Sequence, residues 1–332
     1  MRTPSVSLRL LLMIVLALAF ALVTMPLFKA ALETALPGPV WLQHLLHYQP
    51  GQGGAPATYD LGRISRRYLL LVALAVFIGL RRWVPWGALL RRGFPPRLNR
   101  SRHLWFGIAA GVVLATIYGA LLVATGNLGW ARPGALALAG RSMEFALGAA
   151  FIGLLEESMF RGVYFRAMVR DWGVTWAVVG SGSVFAVLHC ISGGLRVPIG
   201  WSPAIGLTLF KTYFTVLGSP LPDLRLMVGL FLLATLLALL YLRTGALWTP
   251  IGLHGGLVFG TKLLKKMFDR TADFPTWLLG DRTFIVSGIA VWGLMLIAIL
   301  VVPRLAPRGP AARRRQRRCG VTQRADSTPA TG

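Results

Sequence analysis

Glu156, Glu157 and Arg161 stand inside the apolar run FALGAAFIGLLEESMFRGVYF. Two later apolar runs each carry one imidazole, His189 in SVFAVLHC and His254 in LWTPIGLHGGLVF. An acid near the middle of a membrane helix costs roughly 2.5–3.5 kcal/mol to insert, so ionisable groups placed there default to function. On a helix, Glu157 and Arg161 are four residues apart and face each other. Such a pair offsets much of the cost of being ionised. Glu156 lies about 100° around the helix and lacks that partner. A desolvated carboxylate beside a like charge is a usual source of a general acid or base that works near neutral pH. Phe185 and His189 share one helix face, and His254 falls about two turns into its own helix. If these helices converge, two imidazoles meet one carboxylate. Taken singly, Glu157–Arg161 reads equally as a structural clamp, and a membrane histidine as a bond to a neighbouring helix. Taken together, on three helices, they read as a site for proton transfer.

The elements that must position these groups are membrane helices. The chain has 332 residues, 55% of them hydrophobic and only 14% charged, with a mean hydropathy of +0.63. Its apolar blocks are continuous and about 18–25 residues long, which suits helices that cross a bilayer and argues against an alternating β-barrel pattern. The expected fold is all-α, a polytopic membrane protein of about eight transmembrane helices. The spans are expected at residues 7–28, 64–80, 103–125, 142–168, 174–191, 225–243, 246–261 and 284–303. The first is read as a retained helix rather than a cleaved signal, because its apolar run is long and no clean small-residue cleavage site follows. Residues 36–62 read as a Gly/Pro-rich loop, and 202–218, with Lys211, as an interfacial or re-entrant piece.

The net charge of +24 is concentrated in the segment from Arg81 to Arg102 and in the cluster Arg313, Arg314, Arg315, Arg317 and Arg318. Both flank spans, where the positive-inside rule expects them. The same charges suit contact with the lipid bilayer. No recognition motif accompanies them, so nucleic acid is not a partner. Eight spans put both termini in the cytoplasm, as in a protein of the bacterial inner membrane. A ninth would place the basic tail outside, whereas Lys262, Lys265 and Lys266 fall outside with eight spans and inside with nine. Cys190 and Cys319 form neither a disulfide framework nor a metal-ligand spacing. His44 and His47, in HLLH, read as an interfacial turn, because no further ligand is in sight.

EESMFR, FAVLH and LWTPIGLH, in this order, resemble the three motifs of the CPBP family of intramembrane proteases, the Abi group that includes the CAAX prenyl endopeptidases. The resemblance covers about residues 142–262 and divides the chain into four parts. Residues 1–141 hold N-terminal transmembrane helices and a basic cytoplasmic loop, and 142–267 a CPBP-like catalytic core. Residues 268–303 hold a loop and the last span, and 304–332 a basic disordered tail. The resemblance implies an endopeptidase that acts on a membrane protein or peptide. It implies that Glu156 activates the attacking water with help from His189, that His254 stabilises the oxyanion, and that Glu157 and Arg161 orient the site. Sorting-tagged proteins and maturing peptides are as compatible with it as prenylated ones.

The family's third motif carries asparagine four residues after the histidine; here that position is Val258. An oxyanion donor is worth on the order of 10²–10³ in rate. Thr261, about one turn on, and a backbone N–H near Gly255-Gly256 are the candidate replacements; otherwise the enzyme is slow, narrow or inactive. Glu156, His189 and His254 would also make a two-His, one-carboxylate zinc set. No H-E-x-x-H motif is present, so a metal-free, glutamate-activated water is the preferred reading and no cofactor is expected. Two other classes compete: a proton-coupled transporter, which intramembrane acids and histidines also mark, and an inactive membrane scaffold.

Overall fold

The computed structural model describes residues 5–51, 56–95, 99–131, 134–190, 195–213, 220–270, 275–280 and 285–308. Arg97, Cys319, the arginine cluster at 313–318 and most of the 304–332 tail lie outside these residues. Among the described residues the fold is mainly helical, with two short two-stranded ladders. Two compact units are formed, one by Met1–Pro85 with Val187–Leu224, the other by Trp86–Ala186 with Arg225–Gly332.

The first unit is built on α1 (Val6–Ala35), whose start is capped by the Ser5 hydroxyl, 3.3 Å from the Leu8 N–H. After it come α2 (Val40–Leu45), β1 (Thr58–Asp60) and α3 (Gly62–Gly79). The expected 36–62 loop therefore contains a helical turn and a strand. The strand survives because it finds a partner, Arg196–Pro198, with Tyr59 opposite Val197. His47 has φ 47°, in the left-handed region, so it does not continue the helix that carries His44 and the pair forms no i, i+3 face.

Unit one also holds a buried charge cluster. Lys29, 1% exposed, donates to Glu33 at 2.5 Å and to the Pro198 and Gly200 carbonyls. Tyr59 donates to the same Glu33 oxygen at 3.1 Å, and burial plus that carboxylate push its phenol well above the ordinary range. A buried ion pair of this kind is stable only when its remaining polar atoms find partners.

The second unit runs through α4 (Trp86–Gly93), α5 (Arg100–Ala124), α6 (Ala135–Glu157) and a π-helical segment, Ser158–Phe165. α7 (Arg166–Cys190) follows without a break in the chain. α8 (Ile205–Tyr213), in the first unit, packs on α1 through Gly206, where any Cβ would strike the Leu22 carbonyl. α9 (Pro220–Thr244), α10 (Trp248–Met267), the short α11 (Thr276–Leu279) and α12 (Ile289–Leu305) complete the chain. A ladder pairs β2 (Leu128–Trp130) with β4 (Phe268–Arg270); β3 is the partner of β1 named above.

Among the described residues each expected span falls largely on helix, but the expected count of eight crossings does not follow. Among the described residues, Val6–Ala35, Arg100–Ala124, Leu136–Cys190 and Leu224–Thr244 are long and apolar enough to cross a membrane. Arg67–Gly79 and Ile289–Leu305 are shorter apolar helices. The 55-residue stretch from Leu136 breaks its helical geometry at Gly173, φ 82°, between the two spans expected there. α10 gives its last two turns to Lys262, Lys265 and Lys266, which lowers its hydropathy. Many large apolar side chains point outward, among them Val23, Leu27, Leu147 and Phe151, as on a surface solvated by lipid.

Glycines seat α10 between α5 and α6. Gly252, Gly256 and Gly260 recur every four residues on one face of α10 and meet Gly107, Gly111 and Ala115 on α5. A Cβ on Gly252 would clash with the Leu104 carbonyl, and one on Gly256 would lie 2.5 Å from the Ile108 carbonyl. On α6, Gly153 does the same against the Ile251 carbonyl at 2.9 Å. Lipid offers no hydrophobic drive between helices, so close backbone approach through small residues is what holds such pairs.

Candidate active site

Glu157 ends α6 and is fully buried. Its Oε1 accepts two hydrogen bonds, from Arg161 Nη1 at 3.0 Å and from His254 Nδ1 at 2.8 Å. The expected Glu157–Arg161 pair is therefore present, and it has a third member. The backbone between the two is π-helical, the wider turn that often accompanies functional sites. Gly162 lies in that turn, where a Cβ would come within 3.1 Å of Leu90 and Leu247.

Arg161, 2% exposed, also donates to the Ala234 carbonyl on α9 at 3.2 Å. Its guanidinium lies 4.9 Å from the centre of the Phe185 ring and 5.9 Å from that of Phe160. A desolvated cation over an aromatic face gains about 2 kcal/mol or more. Phe185, singled out in the sequence only as one half of a motif, thus covers the arginine. It also stands edge-on to His254, ring centres 6.3 Å apart.

His254 is buried and faces both acids. With Nδ1–H given to Glu157, its Nε2 points toward Glu156, 3.9 Å from Oε2. Glu156 is the more accessible acid, its side chain 25% exposed against 0% for Glu157. One acid is wholly enclosed and the other partly exposed, although its Oε2, the oxygen nearest His254, is buried. Carboxylate, imidazole and second carboxylate thus stand in series, and the tautomer is fixed by the buried one.

The second unit by itself assembles Glu156, Glu157, Arg161 and His254. His189 lies in the last turn of α7, on residues grouped with the first unit. Among the described residues, no three His, Cys, Asp or Glu side chains stand together as a metal-binding group.

The two replacements considered for the missing asparagine are otherwise engaged. The Thr261 hydroxyl donates to the Val258 carbonyl at 3.1 Å. Gly255 and Gly256 lie inside the unbroken helix α10, so their N–H groups are not freed, and the glycines serve helix packing instead. His103, which follows Arg102 near the start of α5, is 2% exposed and bonds Thr249 on α10 at 3.1 Å. It helps seat the helix that carries His254. Its signal was its place four residues before Gly107, on the face that packs against α10.

Residues 139–260 match the family model described as type II CAAX prenyl endopeptidase Rce1-like. The matched residues contain all three motifs read from the sequence, which puts this segment in the CPBP, CAAX-protease-like family. At the level of family, that is an intramembrane endopeptidase of the CAAX type, whose substrate is a membrane-associated protein or peptide. No curated protein and no solved structure matches the chain.

Proposed function

We propose, from the Rce1-like domain at residues 139–260, that this chain hydrolyses a peptide bond of a membrane-associated protein or peptide with a water activated by Glu156. The observation that carries the reading is the position of His254, bonded to Glu157 at 2.8 Å and 3.9 Å from Glu156. A water held by the partly exposed Glu156 carboxylate would stand beside the His254 imidazole. Glu156 takes a proton from it, and the oxygen attacks the scissile carbonyl carbon. In the imidazolium form, His254 Nε2–H can donate to the resulting oxyanion. The C–N bond then breaks, and the proton held on Glu156 passes to the leaving amine. Glu157 and Arg161 are positioning residues, which hold the imidazole in one tautomer and one orientation. The assisting role of His189 rests on the resemblance and belongs to the same proposal. So do residence in a bacterial inner membrane and cytoplasmic termini.

The test compares the termini of membrane proteins in cells that express the native chain, Glu156→Gln or His254→Ala at matched levels. The expected result is a defined new terminus that disappears in both variants. Termini that are the same in all three strains would overturn the proposal.

One observation favours a second reading. With Val258 at the asparagine position and Thr261 bonded to the Val258 carbonyl, a donor has been lost from α10. An inactive scaffold of the same fold predicts a cellular phenotype that survives Glu156→Gln.

A further inference from the structure

The seam between α6 and α10 that holds Glu156 and His254 carries a lysine further along. On α6, Glu156, Ile152, Gly148 and Phe145 follow one another at helical spacing, and all four are half-buried. On α10, Val258 and Lys262 continue from His254 in four-residue steps and are half-buried too. The helices run antiparallel here. Glu157 meets His254, and nine residues earlier on α6 Gly148 meets Lys262, whose ammonium lies 3.6 Å from where a Cβ would stand on that glycine. The seam is a partly open track with the acid and imidazole at one end, a cation at the other, and apolar Ile152, Gly148 and Val258 between them.

Among the described residues, Lys262 has the Phe145 ring as its partner, 5.8 Å from ammonium to ring centre, and no carboxylate. The acid nearest to it in sequence on α6, Glu144, is exposed and bonded to Arg141 at 2.7 Å. An ammonium has three N–H donors, and a ring face leaves them available to an anion. Cations near a helix end commonly just complement the helix dipole. That role falls to Lys265 and Lys266 in the last turn of α10, which Lys262 precedes. A snorkelling lysine needs only water at its head, whereas this one keeps its head against α6. Lys262 also lies two residues beyond the segment that matches the family model, 139–260.

Spacing names the anion. Lys262 follows His254 by eight residues, which is about 12 Å along the helix. An extended peptide advances about 3.3 Å per residue. A substrate with its scissile carbonyl beside Glu156 and His254 therefore brings a group about three or four residues away to the ammonium. The apolar track suits uncharged residues in between, so the negative charge belongs at the end of the peptide. We propose that Lys262 is a specificity-determining residue that binds the C-terminal carboxylate of the substrate and so sets the distance of the cut from that terminus. This assignment rests on the endopeptidase reading above.

The test uses the purified full chain in detergent micelles. The probe is a pool of N-palmitoylated random hexapeptides, made once with a free C-terminus and once as the C-terminal amide. Mass spectrometry reads the products, and retention on the Glu156→Gln chain reads binding without cleavage. The expected result is that free acids are cleaved about tenfold faster than amides or more, the worth of a hydrogen bond to a charged group. Lys262→Met should bring the acids down to the rate of the amides and leave the amides unchanged, while Lys262→Arg keeps the preference. Equal native rates on the two pools overturn the assignment. So does an equal loss on both pools in Lys262→Met, which would make the lysine merely structural. Amides with an internal Asp or Glu that are cleaved as fast as the acids overturn the terminus as the source of the carboxylate. Should the native chain cleave neither pool, retention separates the two readings. Acids held in preference to amides, and released by adding Lys262→Met, keep the carboxylate seat and overturn the endopeptidase; no preference overturns both.

Discussion

Replacing Arg161 by methionine removes the guanidinium that bonds Glu157, while it keeps most of the side-chain volume. Glu157 is 0% exposed, so its charge then has no water to turn to. Its hydrogen bonds fall from two to one, that from His254. Breaking a buried pair in this way costs about 3–5 kcal/mol. The lost contact with the Phe185 face, at 4.9 Å, adds about 2 kcal/mol at the upper end. A loss of 3–5 kcal/mol shifts the folding equilibrium by roughly two to four powers of ten. The second variant, Arg161→Met/Glu157→Gln, removes the stranded charge, and replacing both members of a buried pair is often close to neutral. It should therefore recover most of the lost stability without recovering activity. The assay is reversible unfolding in mixed micelles of rising SDS fraction, read by tryptophan fluorescence. A loss below about 1 kcal/mol in Arg161→Met, the range of an exposed pair, would refute the reasoning. So would a double variant no more stable than the single one.

Four further outcomes follow from the same geometry. Gly256→Leu should part α5 from α10, because a Cβ would already lie 2.5 Å from the Ile108 carbonyl; overpacking of this kind costs about 1–3 kcal/mol, and unfolding in SDS reads it. Thr261→Val should leave turnover within about twofold, since its hydroxyl is bonded to the Val258 carbonyl; a loss of the 10²-fold order that an oxyanion donor carries would show that it faces the reaction. Val258→Asn, which restores the family's residue, should raise turnover of the substrate found by terminus mapping, toward the 10²-fold worth of such a donor; no gain would mean that Val258 cost nothing. Lys29→Met should strand Glu33, with the Tyr59 hydroxyl and the Gly200 N–H left on it among the described residues; the loss should approach 3 kcal/mol and speed limited proteolysis at residues 195–200.

Hydropathy made the helices legible, because a span must satisfy its backbone internally whatever its neighbours are. For the same reason it could not count crossings: α10 and the 55-residue stretch from Leu136 are helical, yet composition alone does not settle how often they traverse. The Glu157–Arg161 pair was legible because four-residue spacing is local geometry. Gly107, Gly111, Gly252 and Gly256 stand in the sequence at small-residue spacing, but that spacing says nothing about which helix meets which. Only packing decided that α5 and α6 grip α10 and so set His254 against Glu157 rather than Glu156. Short strands such as Thr58–Asp60 were invisible because three residues carry no periodicity and exist only through a partner far along the chain. The sequence by itself thus determined the helices, the three motifs and the residue types of the site. The tertiary structure decided which acid is wholly enclosed and which is partly exposed, because burial and partnership depend on residues brought together from α6, α7, α9 and α10.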